Sequence, residues 1–305
     1  MKKLDFRTLV MLLCVASMTV FASCDNKGNE PDDPQGGSTE NNGGEETPTP
    51  ESPVTFTLTL LSSNEAMGTV TESGTYEKDA EVIIEATAKK EACVFVKWSD
   101  GNTENPRTLT MTENITLTAE FDYAYVDLGL SVKWAKCNVG ADSVHHSGGY
   151  YAWGEVEEKD DYAWSTYFDT TDGGSTFLKY NNESGKTTLD KEDDAAAVNM
   201  GEFWRMPTIE EQKELIDECT WTWTTLNGVN GYNVEGSNGN SIFLPAAGYC
   251  NDSGLSNVGS RGYCWSSSLY TSSSKYADNL YFGSDDVDWS GYYRYCGQPV
   301  RGVIE

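Results

Sequence analysis

Hydrophobic and polar positions alternate with period two in three stretches of residues 54–121. Such alternation predicts strands with one buried face. The inward positions are Val54, Phe56, Leu58 and Leu60, then Val82, Ile84 and Ala86, then Ile115, Leu117, Ala119 and Phe121. Trp98 closes another apolar run before an Asp-Gly turn, so we assign it to the core and the turn to the surface. Residues 54–121 are therefore predicted to form a small β-rich domain.

A different pattern follows Pro207. Thr208 and Glu211 have the Thr-x-x-Glu spacing of a capping box, and Ile209 and Leu215 fall on one face of the helix that it would start. The adjacent carboxylates Glu210 and Glu211 could also form a catalytic acid/base pair. Because negative charge is favourable at a helix N-terminus, the sequence favours the structural interpretation of both.

The rest of residues 123–305 consists of short strand patterns separated by Gly, Asn and Ser turns, with a polar stretch at residues 155–199 typical of long loops. One helix among short strands predicts an α+β fold for this region. It also carries eight of the nine tryptophans and sixteen of the seventeen tyrosines. These aromatic residues fill a core or line a recognition surface.

Residues 1–23 have a basic start and an apolar core too short to span a bilayer, which predicts an export signal. The sequence Phe-Ala-Ser-Cys that ends at Cys24 resembles a bacterial lipobox, in which that cysteine is lipidated. An ordinary signal peptide cleaved nearby is the alternative. Residues 24–53 are acidic and rich in Pro and Gly, which predicts a disordered tether. An acidic, Gly-rich segment after the lipidated cysteine resembles the export signals of Bacteroides-type surface lipoproteins, which implies a surface-exposed outer membrane location.

The formal net charge of -27 leaves no basic surface for nucleic acid, so we expect no nucleic-acid partner. The only membrane contact that we expect is through the lipid anchor. No Gly-x-Ser-x-Gly motif, phosphate-binding loop or Cys-x-x-Cys motif is present, and the only two histidines are adjacent. We therefore predict no enzyme and no cofactor. An exported protein meets an oxidising compartment, so we expect a disulfide among Cys250, Cys264 and Cys296, whose connectivity the sequence does not give.

The order of "GTVTESGTYEKDAEVIIEATA", "VFVKWSDG" and "NPRTLTMTENITLTAEF" resembles the divergent internalin-B-type bacterial repeat. The resemblance implies a β-grasp-like spacer of a surface protein at residues 54–121.

The segments "DLGLSVKWAKCNVGA", "YYAWGE", "WRMPTIEEQKEL", "SIFLPAAGY", "GYCWSSS" and "QPVRGV" resemble the Fibrobacter succinogenes major paralogous domain. The resemblance implies that residues 123–305 form a loop-rich, C-type-lectin-like domain displayed on the cell surface. Some members of that superfamily bind glycans or proteins, and others generate formylglycine with a close cysteine pair that is missing here.

Two candidate sites fall in the stretch 283–295. Trp289, Tyr292 and Arg294 combine ring surface with a hydrogen-bonding cation, as recognition surfaces do. Asp285, Asp286 and Asp288 are a weak calcium candidate because they offer oxygen ligands without the EF-hand spacing, and a solvated acidic turn is the favoured alternative.

The function expected from these observations is binding of a glycan or a protein partner by a lipid-anchored surface protein. Two alternatives remain open: a structural subunit of fimbriae or another surface assembly, and a glycan-degrading enzyme.

Overall fold

The computed structural model describes residues 52–181, 183–252 and 254–305. The predicted signal peptide, Cys24 and all of the predicted tether up to residue 51 lie outside the described residues. Within the described part of the chain, no helix is long and apolar enough to cross a membrane.

Eight strands build the first module. They are β1 (Thr55–Ser62), β2 (Gly68–Val70), β3 (Gly74–Glu77), β4 (Glu81–Ile84), β5 (Ala86–Ala88), β6 (Cys93–Trp98), β7 (Arg107–Thr110) and β8 (Ile115–Tyr123). The main sheet has the order β3-β1-β8-β6, in which β1 and β8 are parallel, and two small sheets pair β2 with β5 and β4 with β7.

The predicted alternation of the first module is confirmed except at Val54, which precedes β1 and is 60% exposed. Leu58, Ile84, Trp98 and Ala119 are fully buried in one core cluster, whereas the intervening threonines are more exposed. The indole N–H of Trp98 donates to the Glu104 carbonyl, which satisfies its one polar group inside the core.

Eleven strands and two α-helices follow. They are β9 (Tyr125–Val126), β10 (Lys133–Ala135), α1 (Ala195–Met200), α2 (Ile209–Glu218), β11 (Thr220–Leu226), β12 (Val229–Glu235), β13 (Ser241–Pro245), β14 (Tyr249–Asn251), β15 (Gly254–Ser256), β16 (Arg261–Leu269), β17 (Tyr276–Gly283), β18 (Val287–Tyr293) and β19 (Val303–Ile304), with a 3₁₀ turn at Lys191–Asp193. They form the sheets β19-β10-β9, β11-β12-β13, β14-β15 and β16-β17-β18.

The predicted α+β, C-type-lectin-like fold class is wrong. Of the described residues, 42% are in strands and only 8% in helices, and the strands are divided among several small sheets, so this part of the chain is β-rich. The expectation of a β-grasp-like first module fails with it, because residues 54–121 carry no helix on their sheet. The alternating pattern correctly predicted strands, but it did not indicate how small the helical fraction of the C-terminal module is.

The predicted helix start is confirmed at α2. The Thr208 hydroxyl accepts a hydrogen bond from the Glu211 backbone N–H at 3.3 Å, and the Glu211 carboxylate accepts from the Thr208 N–H at 2.8 Å. Two further bonds hold α2 against β16: the Ile209 N–H donates to Ser268 Oγ at 3.1 Å, and the buried Gln212 amide donates to the Cys264 carbonyl at 3.1 Å.

The two modules pack directly on each other, and Ser52–Glu305 forms one compact unit. Tyr123, at the end of β8, makes an edge-on contact with the Trp204 ring at 6.4 Å, and Cys93 of the first module packs with Cys137 of the second. Glu91 also pairs with Lys136 at 3.3 Å. The repeat is therefore fixed to the C-terminal module, which differs from an independent spacer.

Candidate functional site

Arg294 does not lie at the surface where the sequence pattern predicted a ligand contact. It is fully buried, and its guanidinium pairs with the buried Asp169 carboxylate at 2.5 Å. It also donates to the Tyr167 hydroxyl and lies over the Trp153 ring at 4.6 Å. These contacts satisfy the charge inside the protein, so the structure assigns Arg294 to the core and not to a ligand surface.

Tyr292 and Trp289 project from opposite faces of β18 because they are three residues apart on a strand. Tyr292 is half-buried and packs against Tyr249 and Tyr263, with ring centroids at 5.1 and 5.5 Å. Burial raises the pKa of its hydroxyl well above the ordinary value. Trp289 is 40% exposed on the other face. Of the three predicted ligand residues, only Trp289 therefore lies on an open surface.

A row of partly exposed rings extends from that face of the sheet. We call it the aromatic strip, and it consists of Tyr270, Tyr276, Tyr293, Tyr295 and Trp164. Neighbouring centroids lie 6.1 Å apart for the first pair, then 4.7 Å, 5.5 Å and 4.7 Å along the row. The rings come from distant parts of the sequence, yet they form one continuous surface.

Strand register explains how the strip is held. β17 and β18 pair antiparallel, which places Tyr276 opposite Tyr293 and Asp278 opposite Gly291. Gly291 has no side chain, and a Cβ atom there would lie 2.8 Å from the Tyr270 ring. The close approach of Tyr270 to the strand therefore requires glycine at this position.

A pocket opens beside the strip, with a volume of about 360 Å³. We call it the Trp289 pocket. The first turns of α2 contribute Glu210 and Lys213, β17 contributes Asp278, and β18 contributes Trp289. Tyr270 lines the pocket and also belongs to the strip, so the two are continuous. The Lys213 ammonium lies 4.0 Å from the centroid of the Trp289 ring, a cation–π contact.

Asp278 is the unusual member of this pocket. It is 7% exposed, and its Oδ1 atom has no hydrogen-bond partner among the described residues. Burial raises the pKa of Asp278 to about 6, with Lys213 lowering it and Glu210 raising it by smaller amounts. A buried carboxylate without a donor is costly, because it has lost its water and gained little in return.

The two adjacent glutamates at the start of α2 have different roles. Glu211 completes the capping box and binds the Arg205 guanidinium through both oxygens, at 2.6 and 2.8 Å. Its function is structural, as the sequence predicted. Glu210 is exposed and lines the Trp289 pocket, which sequence reasoning missed. Only the position of α2 beside β17 and β18 reveals it, since no local pattern marks this glutamate.

The weak calcium candidate does not assemble. Among the described residues, no group of three acidic, His or Cys side chains could hold a metal ion. Asp286 lies 3.4 Å from Arg261, and Asp288 accepts a hydrogen bond from the Trp289 N–H. Asp285, Asp286 and Asp288 therefore lie in and beside the β17–β18 turn as separate side chains.

No disulfide joins the described cysteines. Cys264 lies in the core cluster under α2, whereas Cys250 packs in another cluster around Tyr162 and Tyr167. Burial raises the pKa of Cys296 to about 12 and that of Cys264 to about 11, which keeps both as inert thiols. The expected bridge among the three late cysteines is not present.

Comparison with protein families gives one match. Residues 58–125 match the family model of the divergent InlB B-repeat domain, which confirms the predicted bacterial repeat. The comparisons with curated proteins and with solved structures gave no match. The resemblance of residues 123–305 to the Fibrobacter succinogenes major paralogous domain stays a prediction.

Proposed function

We propose that this protein is a lipid-anchored surface protein that binds a glycan on the aromatic strip and in the Trp289 pocket. The main support for this proposal is that Tyr270 belongs to the aromatic strip and also lines the polar Trp289 pocket, so that the two form one surface. Rings offer rigid apolar surface for the C–H faces of sugars, and the pocket offers groups for their hydroxyls.

The polarity of the pocket favours a sugar over an apolar ligand. The hydroxyl-bearing residues Thr187, Thr188, Ser268 and Ser272 line it, together with the charged residues Glu210 and Lys213 of α2. A protein partner would more typically bury an apolar anchor at the centre of its interface. Grouped hydroxyls, a carboxylate and a tryptophan are suited to a small polar ring.

Surface display rests on three supports. The first is the lipobox-like sequence at Cys24, and the second is the tether that follows it. The third is the set of C-terminal motifs that resemble the Fibrobacter succinogenes major paralogous domain, a family of surface proteins. An outer membrane, surface-exposed location is part of the proposal.

A glycan array with the purified protein tests the binding function. Wild type is expected to bind a defined set of glycans, and Trp289→Ala and Tyr293→Ala are each expected to weaken that binding at least about tenfold. Tyr125→Ala is the matched control, because Tyr125 is an exposed ring outside the strip. If all three variants bound glycans as tightly as wild type does, the aromatic strip and the Trp289 pocket would not be the glycan-binding surface. Release of new reducing ends from a bound glycan would instead indicate a glycan-degrading enzyme.

A further inference from the structure

The Trp289 pocket has an excess of negative charge. Asp278 and Glu210 contribute two carboxylates, and Lys213 contributes one ammonium group. The remaining ionisable group of the lining is the phenol of Tyr270. A neutral ligand would leave that imbalance unchanged, and an anionic ligand would increase it. A cationic ligand corrects it.

No described residue donates a hydrogen bond to the Oδ1 atom of Asp278. Lys213, the cation in the pocket lining, has its ammonium over the Trp289 ring, and the Asp278 Oδ1 atom stays unpartnered among the described residues. An ammonium group carries three donors and a full positive charge, so it could satisfy this oxygen and compensate the charge together.

Trp289 is compatible with the same ligand. Its ring already accepts the Lys213 ammonium at 4.0 Å, so a positive charge is stable against this face. A sugar that carries an ammonium group could place its ring against Trp289 and displace the flexible lysine.

We infer that the Trp289 pocket selects a sugar with a free primary ammonium group, with Asp278 as the ion-pair partner of that group. The inference rests on the proposed glycan binding and specifies the class of sugar. It also predicts discrimination against N-acetylated sugars, which have no charge, and against uronic acids, which Asp278 and Glu210 would repel.

Calorimetric titration with three oligosaccharides of equal length tests this inference. The probes are tetramers of glucosamine, of N-acetylglucosamine and of glucose, measured at a pH where the glucosamine amines are protonated and the Asp278 carboxylate is ionised. Wild type is expected to bind the glucosamine tetramer at least about tenfold more tightly than either neutral tetramer. Asp278→Asn should abolish that preference, so that the variant binds the charged tetramer no more tightly than the neutral ones.

Asp217→Asn is the matched control, because it removes one negative charge from an exposed position of α2. It should keep the preference, which separates the contact at Asp278 from the general attraction of an acidic protein for cations. Equal affinity of wild type for the charged and the neutral tetramers would overturn the inference and leave glycan binding intact. Absence of binding to every tetramer and to the whole array would contradict the proposed function itself.

A lysine-containing peptide is a further arm of the experiment. Binding of the peptide that depends on Asp278, with no binding of the glucosamine tetramer, would assign the pocket to a protein partner and overturn the sugar assignment.

Discussion

Replacing Asp278 by asparagine is expected to stabilise the folded protein at neutral and alkaline pH. Asp278 is 7% exposed, and one oxygen of its carboxylate has no donor among the described residues. Asparagine has nearly the same shape and no charge, so the substitution removes the cost of burying the ion without opening a cavity.

The pKa of Asp278 gives the magnitude. It is about 6 in the folded protein against an ordinary value of 3.8. Because the folded value is the higher one, the folded state holds the proton more tightly, and the stability falls as the pH rises from about 4 to about 6. The full cost applies at higher pH. The gap corresponds to about 3 kcal/mol of lost stability at pH 8 and about 1 kcal/mol at pH 4.5.

Urea unfolding of wild type and Asp278→Asn, followed by tryptophan fluorescence at both pH values, measures this difference. The variant should be more stable by about 3 kcal/mol at pH 8, and the gain should fall by about 2 kcal/mol at pH 4.5. Asp217→Asn should change the stability by less than about 0.5 kcal/mol at either pH. A variant that is less stable than wild type at pH 8, or whose gain does not depend on pH, would refute the assignment of an uncompensated charge to Asp278.

Three further substitutions test other parts of the structure. Arg294→Met should lower the free energy of unfolding by about 3–5 kcal/mol, because it leaves the Asp169 charge buried and unpaired; a loss below about 1 kcal/mol in urea unfolding would contradict the buried pair. Gly291→Ala should displace the Tyr270 ring and weaken glycan binding at a stability cost of about 1–3 kcal/mol, measured by titration and thermal unfolding; unchanged affinity would contradict continuity of strip and pocket. Cys24→Ser should abolish incorporation of a labelled fatty acid and release the protein from the membrane fraction; retained label would place the lipid elsewhere.

Local patterns in the sequence predicted the local structure well. The alternation around Leu58 and Ile84 and the capping box at Thr208 were both confirmed, because each depends on neighbours within a few residues. The predicted fold class was wrong because fold class depends on the total strand content, and much of that content lies in short strands. A strand pattern of three residues, such as β15, gives almost no periodic signal.

The candidate site was only partly predictable for a related reason. Alternation on β18 separates Trp289 from Tyr292, but the sequence does not say which face is covered. Arg294 is buried because Asp169, 125 residues earlier, supplies its counter-charge. The Trp289 pocket likewise combines α2, β17 and β18, so Glu210 and Asp278 become neighbours through tertiary packing that no single segment encodes.

Within the described part of the protein, Asp278 differs from the other buried charged residues in having no partner for its charge. The structure describes six such residues with at most 8% exposure: Arg107, Asp169, Asp194, Asp278, Arg294 and Arg301. Arg294 and Asp169 pair with each other, and Arg107 pairs with Asp100 at 2.7 Å. Asp194 caps α1 by accepting from backbone N–H groups, and Arg301 donates to carbonyl oxygens and to an asparagine side chain.

Each of the other five has an ion pair or hydrogen bonds to its charged group, whereas the Asp278 Oδ1 atom has no donor within the described residues. The other five buried charges all have partners of opposite charge or hydrogen-bonding groups, and a neutral asparagine would fit the position of Asp278. Groups that reduce stability in this way are concentrated at sites where a ligand supplies the missing contact. The expected gain in stability of Asp278→Asn and its expected loss of preference for amino sugars are therefore two consequences of one unpaired carboxylate.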